Sequence, residues 1–97
     1  MDKEEFNQLI SDDVVLFMKG TPDSPQCGFS AQVVFILREL GAEFTAVNVF
    51  DHDKEVLKEH ANWPTFPQLW VKQKLVGGCD IITELAQTGE LEDIIRT

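Results

Sequence analysis

The sequence is poor in cysteine and in basic residues. Its 97 residues include 2 cysteines, 8 Lys or Arg and 17 Asp or Glu, which gives a net charge of −9. Two cysteines are too few for a disulfide-rich scaffold, so the composition favours a reducing compartment. The acidic balance disfavours nucleic acid and anionic membrane surfaces as partners, because both carry negative charge.

Hydrophobic residues form only short runs, and the chain begins with an acidic segment. The longest runs, Val14–Met18 and Val33–Leu37, fall far short of the roughly 20 apolar residues that a membrane helix needs. Residues Met1–Glu5 lack the basic and apolar regions of a secretory signal. We therefore expect no membrane contact and a cytoplasmic location in a bacterium, or an organelle matrix such as that of the mitochondrion if a transit peptide has been removed.

Helical and strand patterns alternate along the chain, and no linker or internal repeat divides them. A length of 97 residues is typical of one domain, so we expect residues 1–97 to fold together. Apolar spacing predicts helices over 3–10, 27–40, 52–61, 81–89 and 91–95 and strands over 14–18, 44–49, 68–71 and 75–76. Glycine and proline mark residues 20–26 as a loop. A parallel strand–helix–strand unit followed by a hairpin predicts an α/β fold, with a mixed sheet and helices on both faces.

Cys27 lies where a polar, proline-containing loop gives way to a helix. The first N–H groups of a helix have no partner within the helix, and the helix dipole is positive there, so a thiolate is stabilised. Lys19, at the end of the preceding strand, can add positive charge at the same edge. An inert buried cysteine is the alternative, but Pro25, Gln26 and Gly28 flank Cys27 instead of an apolar run.

The tetrapeptide Cys27–Ser30 has a serine where a dithiol motif has its second cysteine. A hydroxyl cannot attack a disulfide, so this site can form a mixed disulfide but cannot close one within the motif. Cys79 could still resolve Cys27 as a distant partner. Phe29 fits a core position by its spacing from Val33, and it also fits a partly exposed position in the first helical turn.

Several short blocks of the sequence share a family pattern. They are Lys19–Pro22 with Cys27–Ser30, then Trp63–Gln68, then Gly77–Asp80. In this order and spacing they resemble the monothiol glutaredoxins of the CGFS class, over essentially the whole chain. The resemblance implies a single glutaredoxin domain over residues 1–97, with a thioredoxin-like α/β fold in which helices flank both faces of a four-stranded mixed sheet.

The resemblance implies a binding site for glutathione, a peptide with two carboxylates, an ammonium and a thiol. Lys19 and Lys54 would receive the carboxylate at the glycine end, although an ordinary solvated helix lysine is nearly as good an interpretation of Lys54. Phe66–Pro67 matches the family's cis-proline position, where the backbone of Phe66 could pair with an extended peptide. A plain edge-strand proline is the alternative for Pro67.

Gly77–Gly78 permits close approach of a ligand to the backbone, and Cys79 and Asp80 begin the next predicted helix. The resemblance assigns the N–H groups at Cys79 to the γ-glutamyl carboxylate and Asp80 to its ammonium. Asp80 could instead be a helix N-cap. Thr65 could be a strand residue without a ligand role, and Trp63 a packing residue.

The resemblance also implies a cargo and partners. A [2Fe–2S] cluster needs four thiolates, and two copies of Cys27 with two glutathione thiols would supply them across a homodimer. A BolA-like protein could replace one copy, and iron–sulfur acceptor proteins would take up the cluster. The alternative is a weak glutathione-dependent thiol–disulfide oxidoreductase, in which Cys27 attacks glutathionylated proteins. His52 and His60 lack the spacing of a zinc site with the cysteines, so we interpret them as surface or packing residues.

Overall fold

The computed structural model of the chain describes residues 1–97, with six strands and five α-helices. The helices are α1 (Lys3–Leu9), α2 (Gly28–Glu39), α3 (Lys54–Ala61), α4 (Cys79–Thr88) and α5 (Glu90–Arg96), and a 3₁₀ helix covers Val49–Asp51. The strands are β1 (Val14–Met18), β2 (Gly20–Thr21), β3 (Ser24–Pro25), β4 (Thr45–Asn48), β5 (Gln68–Val71) and β6 (Lys74–Gly77). None of the helices combines the length and the hydropathy that crossing a membrane requires.

Side-chain caps and a glycine fix where several helices begin and end. Asp2 precedes α1 and accepts the N–H of Glu5 at 2.9 Å, and Asp53 precedes α3 and accepts the N–H of Glu55 at 3.0 Å. Gly89 separates α4 from α5 with a φ of +83°, a conformation that favours glycine. These local signals set the lengths of the helices that cover the sheet.

The main sheet has four strands in the order β4-β1-β5-β6. β1 runs parallel to β4, with Phe17 opposite Val47, and antiparallel to β5, with Phe17 opposite Gln68. β5 and β6 form an antiparallel hairpin whose turn residues, Lys72 and Gln73, both have positive φ angles. The predicted mixed sheet, with a parallel first unit and a later hairpin, is confirmed.

β1 is buried on both faces of the sheet, which explains its uninterrupted apolar sequence. Val15 and Phe17 belong to a core cluster with residues of α3 and Phe6 of α1. Leu16 and Met18 belong to a second cluster with residues of α2, α4 and α5. No β1 residue exposes more than 6% of its surface. Helices therefore cover both faces of the sheet, as predicted for a thioredoxin-like fold.

Some element boundaries differ from those predicted. The predicted loop over 20–26 contains a short antiparallel ladder, in which Gly20 of β2 pairs with Pro25 of β3. The predicted strand over 44–49 is shorter, because the Asn48 side chain caps a 3₁₀ helix by accepting the N–H of Phe50 at 3.0 Å. Hydrophobic periodicity carries no information on such a ladder or cap, so it predicts neither.

Gly20 shapes the turn that leads from β1 toward Cys27. Its φ is +92°, and a Cβ there would lie 2.5 Å from the carbonyl oxygen of Ser24 and 2.8 Å from the nitrogen of Gln26. Both are backbone atoms, so neither can move aside without opening the β2–β3 ladder. Conformation and space both require glycine at this position.

Gly20→Ala should therefore lower the free energy of unfolding by roughly 1–3 kcal/mol, measured by urea denaturation. Gly28→Ala is the matched control, because a Cβ on Gly28 meets nothing within 4 Å and alanine favours the helix that begins there. Equal effects of the two substitutions would contradict a special requirement at Gly20.

Candidate functional site

The segments that carry the predicted site residues lie at one edge of the sheet, where β1 ends. The carboxyl ends of β1, β4 and β6 lie at the same edge as the amino end of β5, because β5 runs opposite to the other three. Lys19 follows β1, Asn48 ends β4, Phe66–Pro67 precede β5, and Gly78 follows β6. The chain topology therefore brings together residues that are up to about sixty positions apart in the sequence.

An open pocket of about 400 Å³ lies at this edge. Its lining residues are Lys19, Cys27, Phe29, Lys54, Lys58, Pro64, Thr65, Phe66, Pro67, Cys79 and Asp80. All seven residues predicted from the sequence for the glutathione and cluster site are among them. The structure thus places all of these predicted residues around one cavity. Their roles in binding a ligand stay predictions.

Cys27 is the N-cap residue of α2 and is partly exposed at the pocket. The pKa of its thiol is lowered, first by the backbone N–H of Ser30, then by that of Phe29, by the charge of Lys19 and by the Ser30 hydroxyl. Burial opposes this shift only in part. Cys27 is therefore the more readily ionised of the two thiols.

Ser30 is fully buried beneath Cys27, on the first turn of α2. Its hydroxyl oxygen accepts the backbone N–H of Lys19 at 3.1 Å. This bond ties the end of β1 to the start of α2, which keeps Lys19 beside the cysteine. The serine of the motif thus supports the site structurally, although it cannot act as a second thiol.

The peptide bond between Phe66 and Pro67 is cis, as the family resemblance predicted. The Phe66 ring is buried, but its backbone N–H and C=O make no hydrogen bond within the protein. Gln68, also buried, donates to the carbonyl of Thr65 at 3.1 Å and accepts the Trp70 indole N–H at 3.2 Å. The Gln68 amide therefore fixes the segment that presents the free backbone groups of Phe66 to the pocket.

Three lysines line the pocket, one more than predicted. Lys19 comes from the end of β1, and Lys54 and Lys58 come from α3. Lys58 was not predicted, although its spacing of four residues from Lys54 places both on one helix face. Lys58 lies 3.3 Å from Glu55, whereas Lys54 forms no ion pair. The side chain of Lys54 instead lies over the Phe50 ring, 5.1 Å from its centroid.

The start of α4 forms another part of the pocket wall. Gly78 is the N-cap of α4, so the interpretation of Asp80 as an N-cap is wrong, and Asp80 is exposed in the first turn. Burial raises the pKa of the Cys79 thiol, and the nearby Asp80 and Cys27 charges act in the same direction. A contact with the Thr83 hydroxyl at 4.0 Å opposes this shift only in part.

Other residues near the pocket resolve alternatives that the sequence left open. Phe29 is 62% exposed, so its interpretation as a core residue is wrong. Thr65 lines the pocket outside any strand, because β5 begins only at Gln68. Trp63 packs against the core, as expected, but its buried indole N–H has no partner. His60 stacks on Phe6 with ring centroids 5.2 Å apart, which confirms it as a packing residue.

The cysteine at a helix start, the cis-proline and the four-stranded mixed sheet agree with one known family. A family model described as Glutaredoxin matches residues 14–76, and the chain therefore belongs to the glutaredoxin family. Within that family, relatives at 53–54% identity are named monothiol glutaredoxins, which confirms the resemblance found in the sequence blocks.

Two bacterial relatives and one solved structure illustrate the similarity. The chain is 54% identical over 92 residues to "Probable monothiol glutaredoxin 2" of Rickettsia felis, covering 93% of this chain and 88% of the relative. It is 48% identical over 95 residues to Glutaredoxin 4 of Buchnera aphidicola subsp. Schizaphis graminum, covering 95% and 89%. The solution structure of reduced poplar apo GrxS14 has a TM-score of 0.81 at 48% identity, covering 94% and 86%.

The opposite pKa shifts of the two thiols predict different reactivities toward iodoacetamide. With Cys27 as the remaining thiol, in Cys79→Ser, the alkylation rate should reach its plateau at a lower pH than for an ordinary cysteine. With Cys79 alone, in Cys27→Ser, the plateau should shift to higher pH. The measurement is the alkylation rate against pH by mass spectrometry. Coincident profiles would contradict the described environments.

Proposed function

We propose that this monothiol glutaredoxin binds glutathione in the pocket and carries a labile [2Fe–2S] cluster as its cargo. In the proposed complex, Cys27 and one glutathione thiolate from each of two copies ligate the cluster. The observation that carries the proposal is a single thiol with a lowered pKa, Cys27, at the mouth of a pocket lined by three lysines. Residues 1–97 would act as one glutaredoxin domain.

The pocket has groups that complement each part of glutathione. Lys54 and Lys58 belong to α3, which packs on one face of the sheet, and they suit the glycine carboxylate together with Lys19. Asp80 belongs to α4 on the other face and suits the ammonium of the γ-glutamyl end. An extended peptide between them can pair with the unbonded backbone groups of Phe66, beside Pro67.

The number of suitable protein thiolates supports ligation shared with glutathione. A [2Fe–2S] cluster is held by four ligands, commonly thiolates. Cys27 is partly exposed with a lowered pKa, whereas Cys79 has a raised pKa and contacts Thr83. No group of three or more His, Cys, Asp or Glu side chains is arranged to hold a metal ion within one copy. Two copies of Cys27 and two glutathiones give the required four thiolates, and Cys79 with its N–H group remains for the glutathione backbone.

The proposed role has consequences for partners and location. A cluster held partly by exchangeable glutathione can be released to an acceptor, which suits a carrier in iron–sulfur cluster assembly. Such acceptors and a BolA-like protein that replaces one copy are the proposed protein partners. A cytoplasmic location agrees with the scarcity of cysteine and with the bacterial relatives.

Anaerobic reconstitution with iron and sulfide tests the cargo. The wild-type chain should develop visible absorption bands and a dimer mass only when glutathione is present. Cys27→Ser should lose the bands, and the matched variant Cys79→Ser should keep them. Bands without glutathione, or bands retained in Cys27→Ser, would contradict the shared ligation. Loss of the bands in Cys79→Ser would instead make Cys79 a ligand.

Replacement of a pocket lysine tests the glutathione site separately. Lys19→Ala should weaken glutathione binding by about 1 kcal/mol, or about fivefold, because the half-buried Lys19 ammonium would no longer pair with the glycine carboxylate. Lys3→Ala on α1 removes the same charge outside the pocket and should leave the affinity unchanged. The dissociation constants are measured by NMR titration of the reduced protein. Equal affinities of wild type and Lys19→Ala would remove Lys19 from the site.

The lowered pKa of Cys27 also favours the second candidate function, protein deglutathionylation. In that reaction the Cys27 thiolate attacks the glutathione sulfur of a mixed disulfide, and the protein thiolate leaves. A second glutathione thiolate then attacks the Cys27-bound glutathione, which releases oxidised glutathione and restores the thiolate. Efficient turnover without cluster assembly would make this reaction the principal function.

A further inference from the structure

The ring of Phe50 is half exposed, although it is a large apolar side chain. It exposes 50% of its surface and belongs to neither core cluster. It also makes no ring–ring contact with the other aromatic residues. The ammonium of Lys54 lies over the ring, 5.1 Å from its centroid, a distance at which cation and ring attract each other.

The Lys54 ammonium has no anionic partner within α3 or at its cap. It is the first residue of α3, where the positive end of the helix dipole repels an ammonium, and its chain has four rotatable bonds. Asp53, immediately before it, is occupied as the cap that accepts the N–H groups of Glu55 and Val56. Lys54 makes no ion pair, so the Phe50 ring is the group that holds its ammonium.

A ring and a carboxylate would hold the Lys54 ammonium with different consequences for the binding of an anionic ligand. A carboxylate would neutralise the ammonium and would compete with an incoming anionic ligand. A ring attracts the cation through its π face and leaves the charge and the N–H donors available. Lys58 provides the contrast in this pocket, because Glu55 lies 3.3 Å from its ammonium.

The backbone of Phe50 is fixed relative to Lys19, at the other side of the pocket. The Asn48 side-chain oxygen accepts the N–H of Phe50 at 3.0 Å and the N–H of Gly20 at 3.1 Å. One carboxamide oxygen therefore joins the segment that carries Phe50 to the residue that follows Lys19. This shared anchor fixes the backbone that carries the Phe50 ring relative to the segment that carries Lys19.

We propose that Phe50, anchored through Asn48, is a positioning residue that holds the Lys54 ammonium at the pocket to receive the glycine carboxylate of glutathione. The proposal rests on the proposed glutathione site. Phe50 itself does not line the pocket, so it acts through Lys54. A lysine held in place before binding loses less conformational freedom when the ligand arrives, which favours affinity.

A double-mutant cycle between Phe50 and Lys54 tests this inference, with glutathione affinity measured by NMR titration of the reduced protein. Phe50→Leu should weaken binding by up to about two- to fivefold, because the lost ordering of Lys54 can cost no more than an exposed cation–π contact supplies. In the Lys54→Met background, Phe50→Leu should have no further effect. Phe50→Trp keeps an aromatic face and should retain at least the wild-type affinity.

The Lys54 ε-methylene proton shifts give a second readout that does not depend on glutathione. A ring current should displace these signals upfield in the wild type and in Phe50→Trp but not in Phe50→Leu. The urea midpoint of Phe50→Leu should match that of the wild type, because the ring lies outside both cores.

The outcomes separate this inference from the proposed function. A wild-type chain that does not bind glutathione contradicts the proposed function. Wild-type binding with the same loss from Phe50→Leu in both backgrounds contradicts the positioning role alone. Unchanged affinity in Phe50→Leu, or ε-methylene signals that do not respond to the ring, would likewise contradict the positioning role.

Discussion

The backbone pairing of β1 is the constraint on which the candidate site depends. β1 hydrogen-bonds to β4 in parallel and to β5 in antiparallel register, and its side chains fill both cores. This register brings Asn48 next to Met18 and Gln68 next to Phe17, at the edge where β1 ends. A slip of one residue would move Phe17 away from the rings of Phe6 and Trp70 to the opposite face, so the packing of these rings helps to fix the register and thus the pocket.

Charge is distributed unevenly between the pocket and the rest of the chain. The protein carries a net charge of −9, yet three of its 8 basic residues line one pocket beside a single aspartate. The acidic remainder repels polyanions, whereas a local cluster of lysines still attracts a small anion at short range. This arrangement suits a small anionic peptide better than a nucleic acid or an anionic membrane.

Sequence patterns predicted the parts of the structure that local physics determines. The apolar run of β1, the helix after Cys27 and the hairpin all follow from spacing and from turn residues. The cis bond before Pro67 could be expected only from the family resemblance, because few X–Pro bonds are cis. Lys58 could have been found from its spacing to Lys54 on one helix face.

The exposed rings show where such patterns fail. Phe29 and Phe50 expose half or more of their surface, whereas apolarity alone places phenylalanine in a core. The bond between Asn48 and Gly20 also escaped prediction, since it joins backbone segments that are adjacent only after the sheet has formed.

The two cysteines show how a small difference in helix position changes the chemistry of a thiol. Cys27 stands before α2, so its sulfur faces the free N–H groups of Phe29 and Ser30, and its pKa falls. Cys79 is already the first residue of α4, where its sulfur contacts Thr83 one turn further on, and burial raises its pKa. The two sulfurs are close enough for the Cys27 charge to disfavour a second thiolate at Cys79. As the pH rises, the pocket therefore offers a thiolate at Cys27 before one at Cys79, which agrees with Cys27 as the protein ligand in the proposed cluster.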